Sequence, residues 1–304
     1  MIVPRSPQIR RMVEYVGRPL LVLFGYDLAI VVAYKVMHWD WVAFPHVPLA
    51  LFGSAIGLIL GFRNNSAYDR WWEARKLWGV IVNNSRSWAR LAVSSVASRE
   101  PSEQQEVREM QVRLVHHQIA YVHALRQHLR GLAPWEDISS LLREDELSAL
   151  QHEKNIPLAL QVQMGHMMQE CLHRGWINDL QWSLMNTNLD DLADAQGGSE
   201  RIKNTPMPKQ YDYFPKLFVE IYCLVLPLTL VLNMQWYTPL GSTMVGFIFL
   251  ALDKIGRDME DPFDNTIYDI PLTSISRTID INLRQVLGEE NLPAPETAVR
   301  GVLW

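Results

Sequence analysis

Residues 41–62 form a run of 22 residues without an Asp, Glu, Lys or Arg. As a helix this run would reach about 33 Å, enough to cross a hydrocarbon core of about 30 Å. Within it Gly53, Gly57 and Gly61 recur every fourth residue and leave one helical face bare of side chains. Ser54, Leu58 and Phe62 form a second stripe, displaced by one residue and so by about 100° around the helix. In a membrane the first stripe lets neighbouring helices approach closely. The second presents side chains of graded size to something other than lipid, as a helix standing in a ring around a pathway would. Taken singly, each stripe has a plainer reading. Small-residue repeats commonly serve packing alone, and Ser, Leu and Phe at helical spacing commonly make core or lipid contacts.

Whole-chain composition conceals the membrane signal: mean hydropathy is −0.04 and 20% of residues are charged. The apolar runs sit near both ends, with a long polar stretch between them. A first span is expected over about 19–37, interrupted by Asp27 and Lys35. Residues 221–252 are 32 residues without a formal charge, too long for one typical span. Residues 233–241 (NMQWYTPLG) read as a turn in their middle. The run is therefore expected to be a hairpin with arms at about 213–232 and 239–254. Pro227 would kink the first arm by removing a backbone donor.

Charge placement points to the same topology independently. Arg5, Arg10, Arg11 and Arg18 precede the first span, and Arg63, Arg70, Arg75 and Lys76 follow the second. Lys203, Lys209 and Lys216 lead into the third, and Lys254 and Arg257 follow the fourth. The short connections 38–46 and 233–241 carry no Lys or Arg. By the positive-inside rule both termini and the middle region are cytoplasmic, and Trp39, Trp41, Trp236 and Tyr237 lie at the opposite interface. Asp27 and Glu220 fall inside proposed spans. A carboxylate there needs the protein interior, a wet cavity or a cationic partner, whether its role is permeation or structural hydrogen bonding.

Residues 64–210, with a C-terminal segment 255–304, form the expected cytoplasmic part. The helix of the second span is expected to continue to about residue 95, because helical periodicity persists and no Gly or Pro interrupts residues 62–78. Residues 103–132, 138–150 and 156–184 carry further helical patterns, and Gly197-Gly198 closes the region. No alternating strand pattern competes, so the chain is read as all-α.

Most of the nine histidines lie between His116 and His173. Their spacing does not converge on one helix face, and they read as scattered surface residues rather than metal ligands. No nucleophile and base stand at a recognisable spacing, so nothing favours an enzyme. The two cysteines, Cys171 and Cys223, make no disulfide framework or CxxC motif. A net charge of −5 gives no reason to expect nucleic acid. The basic N-terminus lacks a small-residue cleavage site after its apolar run, which argues against a signal peptide.

The string Gly61-Phe62-Arg63-Asn64-Asn65-Ser66-Ala67-Tyr68-Asp69-Arg70-Trp71-Trp72-Glu73-Ala74-Arg75 resembles the second-helix signature of the bestrophins, their bacterial members especially. Residues 201–208 (RIKNTPMP) and 261–264 (DPFD) support it. The resemblance implies a homopentameric ion channel in the bacterial inner membrane, its central pore lined by the second helix. Partners would be other copies of the chain, the bilayer and small permeating ions. The family's neck of three apolar positions carries over to Ser54, Leu58 and Phe62. Ser54 departs from that pattern, which implies a wider and wetter upper neck. Glu260, Asp261, Asp264 and Asp269 are sparser than the acidic calcium clasp of eukaryotic members and read as interface or capping residues, with no cofactor or metal implied. The neck carries no charge; the bacterial signature and the net acidity tilt selectivity weakly to monovalent cations. The reading from another class is a membrane-anchored helical scaffold or sensor that conducts nothing.

Overall fold

A computed structural model of the chain describes residues 1–2, 9–45 and 47–304, and of residues 9–14 the backbone alone. Arg5, His46 and the side chains of Arg10 and Arg11 lie outside the described residues. The described chain is helical, with only isolated bridges joining Ile2 to Val302 and Val299 to Val302. Its helices are α1 (Ile9–Lys35), α2 (Leu49–Ser95), α3 (Gln104–Arg130), α4 (Trp135–Ile138), α5 (Glu144–Leu150), α6 (Ile156–His173), α7 (Asp179–Asn204), α8 (Lys209–Met234), α9 (Thr238–Glu260) and α10 (Leu272–Leu287).

The chain divides into two compact units, one drawn from residues 4–71 and 206–261, the other from 1–3, 72–205 and 262–304. In the first, α1, α8, α9 and the front of α2 pack around Leu23, Ile56, Leu60, Val219, Tyr222 and Leu226. Two stretches among the described residues are long and apolar enough to cross a membrane: Tyr15–Lys35 and Lys209–Glu260. A short 3-10 turn, Gln235–Tyr237, joins α8 to α9, with Gln235 at φ 49°.

The helix expected to begin at residue 41 is shorter at its front than the sequence reading has it. It starts at Leu49, not at residue 41. Pro45 and Pro48 supply no backbone donor, so Pro48 ends up just outside the first turn, its carbonyl accepting from Leu51 and Phe52. The charge-free part that is helical, residues 49–62, is about 21 Å long. Upstream, Asp40–Val42 forms a 3-10 turn, and the Phe44 N–H donates to the Leu228 carbonyl (3.0 Å), satisfying non-helical backbone inside the protein.

The second unit holds the rear of α2 with α3–α7 and α10. Trp88 and Tyr121 are buried there and satisfy their polar atoms on main-chain carbonyls, Trp88 Nε1 on Leu114 (2.9 Å) and Tyr121 OH on Leu192 (3.2 Å). Three local expectations fail in this unit. Residues 138–150 are not one helix: α4 ends at Ile138 and α5 begins anew, the Arg143 N–H donating to the Glu146 carboxylate (2.9 Å). Residues 156–184 are broken at Gly175, whose φ of 71° ends the α6 segment, and Asn178 caps α7 by accepting from the Gln181 N–H (2.9 Å). Gly197-Gly198 does not close the region, because α7 continues through both to Asn204. A Cβ on Gly198 would stand 2.9 Å from Leu77 Cδ2, so this glycine serves close helix packing rather than a turn.

Candidate functional site

The front of α2 presents two opposed faces. Ile56, Leu60, Arg63 and Ala67 are buried, following the helical repeat. Ser54, Leu58 and Phe62 lie on the exposed face, Leu58 at 61% and Phe62 at 64% exposure. Large apolar side chains this open, on a helix packed elsewhere, are directed at lipid, another chain or a pathway. The Ser54 hydroxyl donates to the Ala50 carbonyl (2.8 Å), which leaves its oxygen lone pairs outward.

The glycine stripe divides. A Cβ on Gly53 would meet the Tyr222 hydroxyl at 2.9 Å, so this glycine admits α8 within the subunit. Gly57 and Gly61 have open space where their side chains would be. Any close approach at those two positions comes from outside the chain.

Directly after Phe62 the signature turns inward. Arg63 is buried, its Nη1 donating to Asp253 Oδ1 (2.7 Å) and the Asp253 carbonyl (3.1 Å), and its Nη2 to Asp212 Oδ1 (2.8 Å). Asp253 also pairs with Arg257 (2.7 Å). Asn64 Nδ2 donates to the Leu252 carbonyl (2.9 Å), and Gly256 opposite has no room for a Cβ beside the Asn64 side chain. Arg70 Nε donates to the Glu260 carbonyl (2.7 Å). Asn65 is exposed, Trp71 half-buried and Trp72 45% exposed. Arg63, Asn64 and Arg70 thus clamp α2 to α8 and the end of α9. Asp253 and Asp212 were missed by sequence reasoning. The available signal was Asp253's position as the first charge after the 32-residue charge-free run, at the depth an inward arginine needs.

Asp27 is fully buried, with Thr243 Oγ1 donating to its carboxylate (3.3 Å). Glu220 is exposed and stands 4.0 Å from the Lys216 ammonium. The two carboxylates therefore take different solutions, interior and cationic neighbour.

In the other unit, His117 and His123 are not surface residues: both are buried, because they sit on the inner face of α3. His117 Nδ1 donates to the Arg113 carbonyl (2.9 Å), and burial holds its pKa below the ordinary value. His123 pairs with Asp280 (3.2 Å). No cluster among the described residues could hold a metal ion. Asp264 pairs with Lys203, and Asp269 accepts from the Thr266 backbone (2.9 Å) and hydroxyl (2.5 Å). Burial, the larger effect, raises the Asp269 pKa despite those bonds.

Residues 10–285 match the family model described as Bacterial/Fungal Bestrophin protein. The voltage-dependent anion channel-forming protein YneE of Escherichia coli (strain K12) is 31% identical over 275 residues, covering 90% of this chain and 88% of its own. The voltage-dependent anion channel-forming protein RSc3414 of Ralstonia nicotianae is 34% identical over 256 residues, covering 84% and 81%. A crystal structure of a bacterial bestrophin homologue from Klebsiella pneumoniae matches with a TM-score of 0.83 at 27% identity, covering 91% of this chain and 100% of that one.

Proposed function

Because this chain belongs to the bacterial and fungal bestrophin family, we propose that it assembles as a homopentamer around a single ion pathway lined by the front of α2. The family is one of ion channels and not of enzymes, and the protein is a membrane protein. The proposed site is the bacterial inner membrane, with multiple spans and both termini cytoplasmic, as the Lys and Arg bias supports. The observation that carries the reading is the shared exposure of Ser54, Leu58 and Phe62 on a helix whose opposite face is clamped by Arg63. Rings of Leu58 and Phe62 around an axis would form a narrow apolar tube that resists a continuous water column and gates by dewetting.

No charged side chain lies in the stripe, so discrimination by sign is weak. The anion-channel names of the relatives argue against the cation tilt read from composition, and anions are the proposed preferred ions. One observation favours cations instead: the Ser54 proton is committed to Ala50, leaving an acceptor facing outward. Reconstituted in liposomes under an asymmetric salt gradient, the purified protein should pass ions without any added partner. The reversal potential reads the sign. Absence of flux from correctly assembled protein would favour the non-conducting scaffold.

A further inference from the structure

A groove of about 670 Å³ opens on the first unit between α1, α8 and the end of α9. One end is basic: Arg18 on α1, Lys216 on α8 and Arg257 on α9 all line it. Glu220 and Asp253 are the acidic lining residues: Glu220 stands 4.0 Å from Lys216, and Asp253 pairs with both Arg257 and buried Arg63. Three cations thus face two carboxylates, one of which also serves Arg63, and the lining keeps a positive excess. Beyond it the walls are apolar, with Pro19, Val22, Leu23, Leu224 and Leu250. Along α8 from Lys216 to Leu224 the trough runs for about 12 Å.

The helices place the basic end consistently. α1 and α9 are antiparallel, since Tyr15 lies by Lys254 and Asp27 by Thr243. Arg18, Lys216 and Arg257 are therefore at one end of the bundle, near the termini of the two apolar stretches Tyr15–Lys35 and Lys209–Glu260. This is the end that the Lys and Arg bias assigns to the cytoplasm. At that depth a bilayer presents phosphate headgroups above acyl chains, and basic pockets between helices recognise anionic headgroups there.

We propose that this groove is a binding site for an anionic phospholipid, its phosphate held by Arg18, Lys216 and Arg257 and an acyl chain lying along the trough. Charge complementarity selects the headgroup, and the apolar trough excludes a free phosphate as the natural occupant, since an inorganic ion gains nothing from it. Arg257 shares Asp253 with Arg63, the residue after Phe62, so the headgroup touches the same ion-pair network that anchors α2. The proposal needs membrane insertion but not conduction.

The test uses the full chain, purified in a zwitterionic detergent and delipidated, with thermal unfolding as the readout. Added phosphatidylglycerol should raise Tm by at least about 2 °C, whereas phosphatidylcholine and inorganic phosphate should not. The double variant Arg18→Gln with Lys216→Gln removes two exposed cations outside the Arg63 clamp, so it should unfold at the wild-type temperature without lipid and lose the shift. An equal shift with phosphatidylcholine would overturn the role of the cations. A shift with phosphate alone would reduce the site to an anion site, and a shift retained in the double variant would place the lipid elsewhere.

Discussion

Arg63 Nη1 donates to Asp253 Oδ1 at 2.7 Å, with the two side chains 2% and 3% exposed, immediately after exposed Phe62. The chain thus passes from an outward apolar side chain to a buried, ion-paired cation within one residue. That change of direction sets the rotation of α2: with Arg63 held inward, Ser54, Leu58 and Phe62 are held outward.

Breaking this pair should be costly. Asp253→Asn leaves a buried guanidinium short of its charge partner and should cost about 3–5 kcal/mol. Asp212, whose side chain is 44% exposed, bonds the same guanidinium, and Asp212→Asn should cost at most about 1 kcal/mol. Thermal unfolding of the two variants side by side measures the ranking; equal losses would show that Asp253 is not the principal anchor.

If the outward stripe is the neck, truncating it should widen and wet the restriction. Leu58→Ala and Phe62→Ala should each raise single-channel conductance, with assembly unchanged on size-exclusion chromatography. Unaltered current in both would place the restriction on other residues.

The divided glycine stripe separates folding from assembly. Gly57 has open space within the subunit, so Gly57→Val should leave helix content unchanged but abolish the oligomer on size-exclusion chromatography. Gly53→Val, directed at Tyr222, should instead lower the stability of the subunit itself. An oligomeric Gly57→Val would mean that this face meets lipid.

Acid should weaken the second unit through His117. Its pKa is held down chiefly by burial, with Glu146 opposing and Arg113 on its own helix both raising it through a carbonyl and lowering it through charge. Gln163 on α6 also faces it, and the neighbouring cavity is lined by Asp145, His166 and Glu170. Between the lowered folded pKa and the ordinary 6.5, the unfolded chain binds more protons, so stability falls as pH falls through that window. His117→Asn should flatten the Tm-versus-pH curve below pH about 6.5; a slope identical to wild type would remove His117 from the acid response.

Local periodicity was enough to make the all-helical character legible, because apolar spacing and the absence of alternation are properties of neighbouring residues. The family string FRNNSAYDRWWEAR was legible for the same reason. The start of α2 was readable in principle from Pro45 and Pro48, but the unbroken absence of charge in residues 41–62 outweighed them. Glycine was less informative still. Gly175 and Gly198 are chemically the same signal, yet one ends a helix in a left-handed turn and the other lies inside a helix against Leu77.

By itself the sequence determined a helical membrane chain, its family, and a stripe of Ser54, Leu58 and Phe62 on one side of a helix, since a 3.6-residue repeat places them there without reference to anything else. Which side that is, only the tertiary structure decided. Arg63 lies 190 residues from Asp253, and no local pattern says that these two charges meet in the interior. Burying the cation requires a carboxylate at its own depth, and that long-range pairing turns the stripe outward.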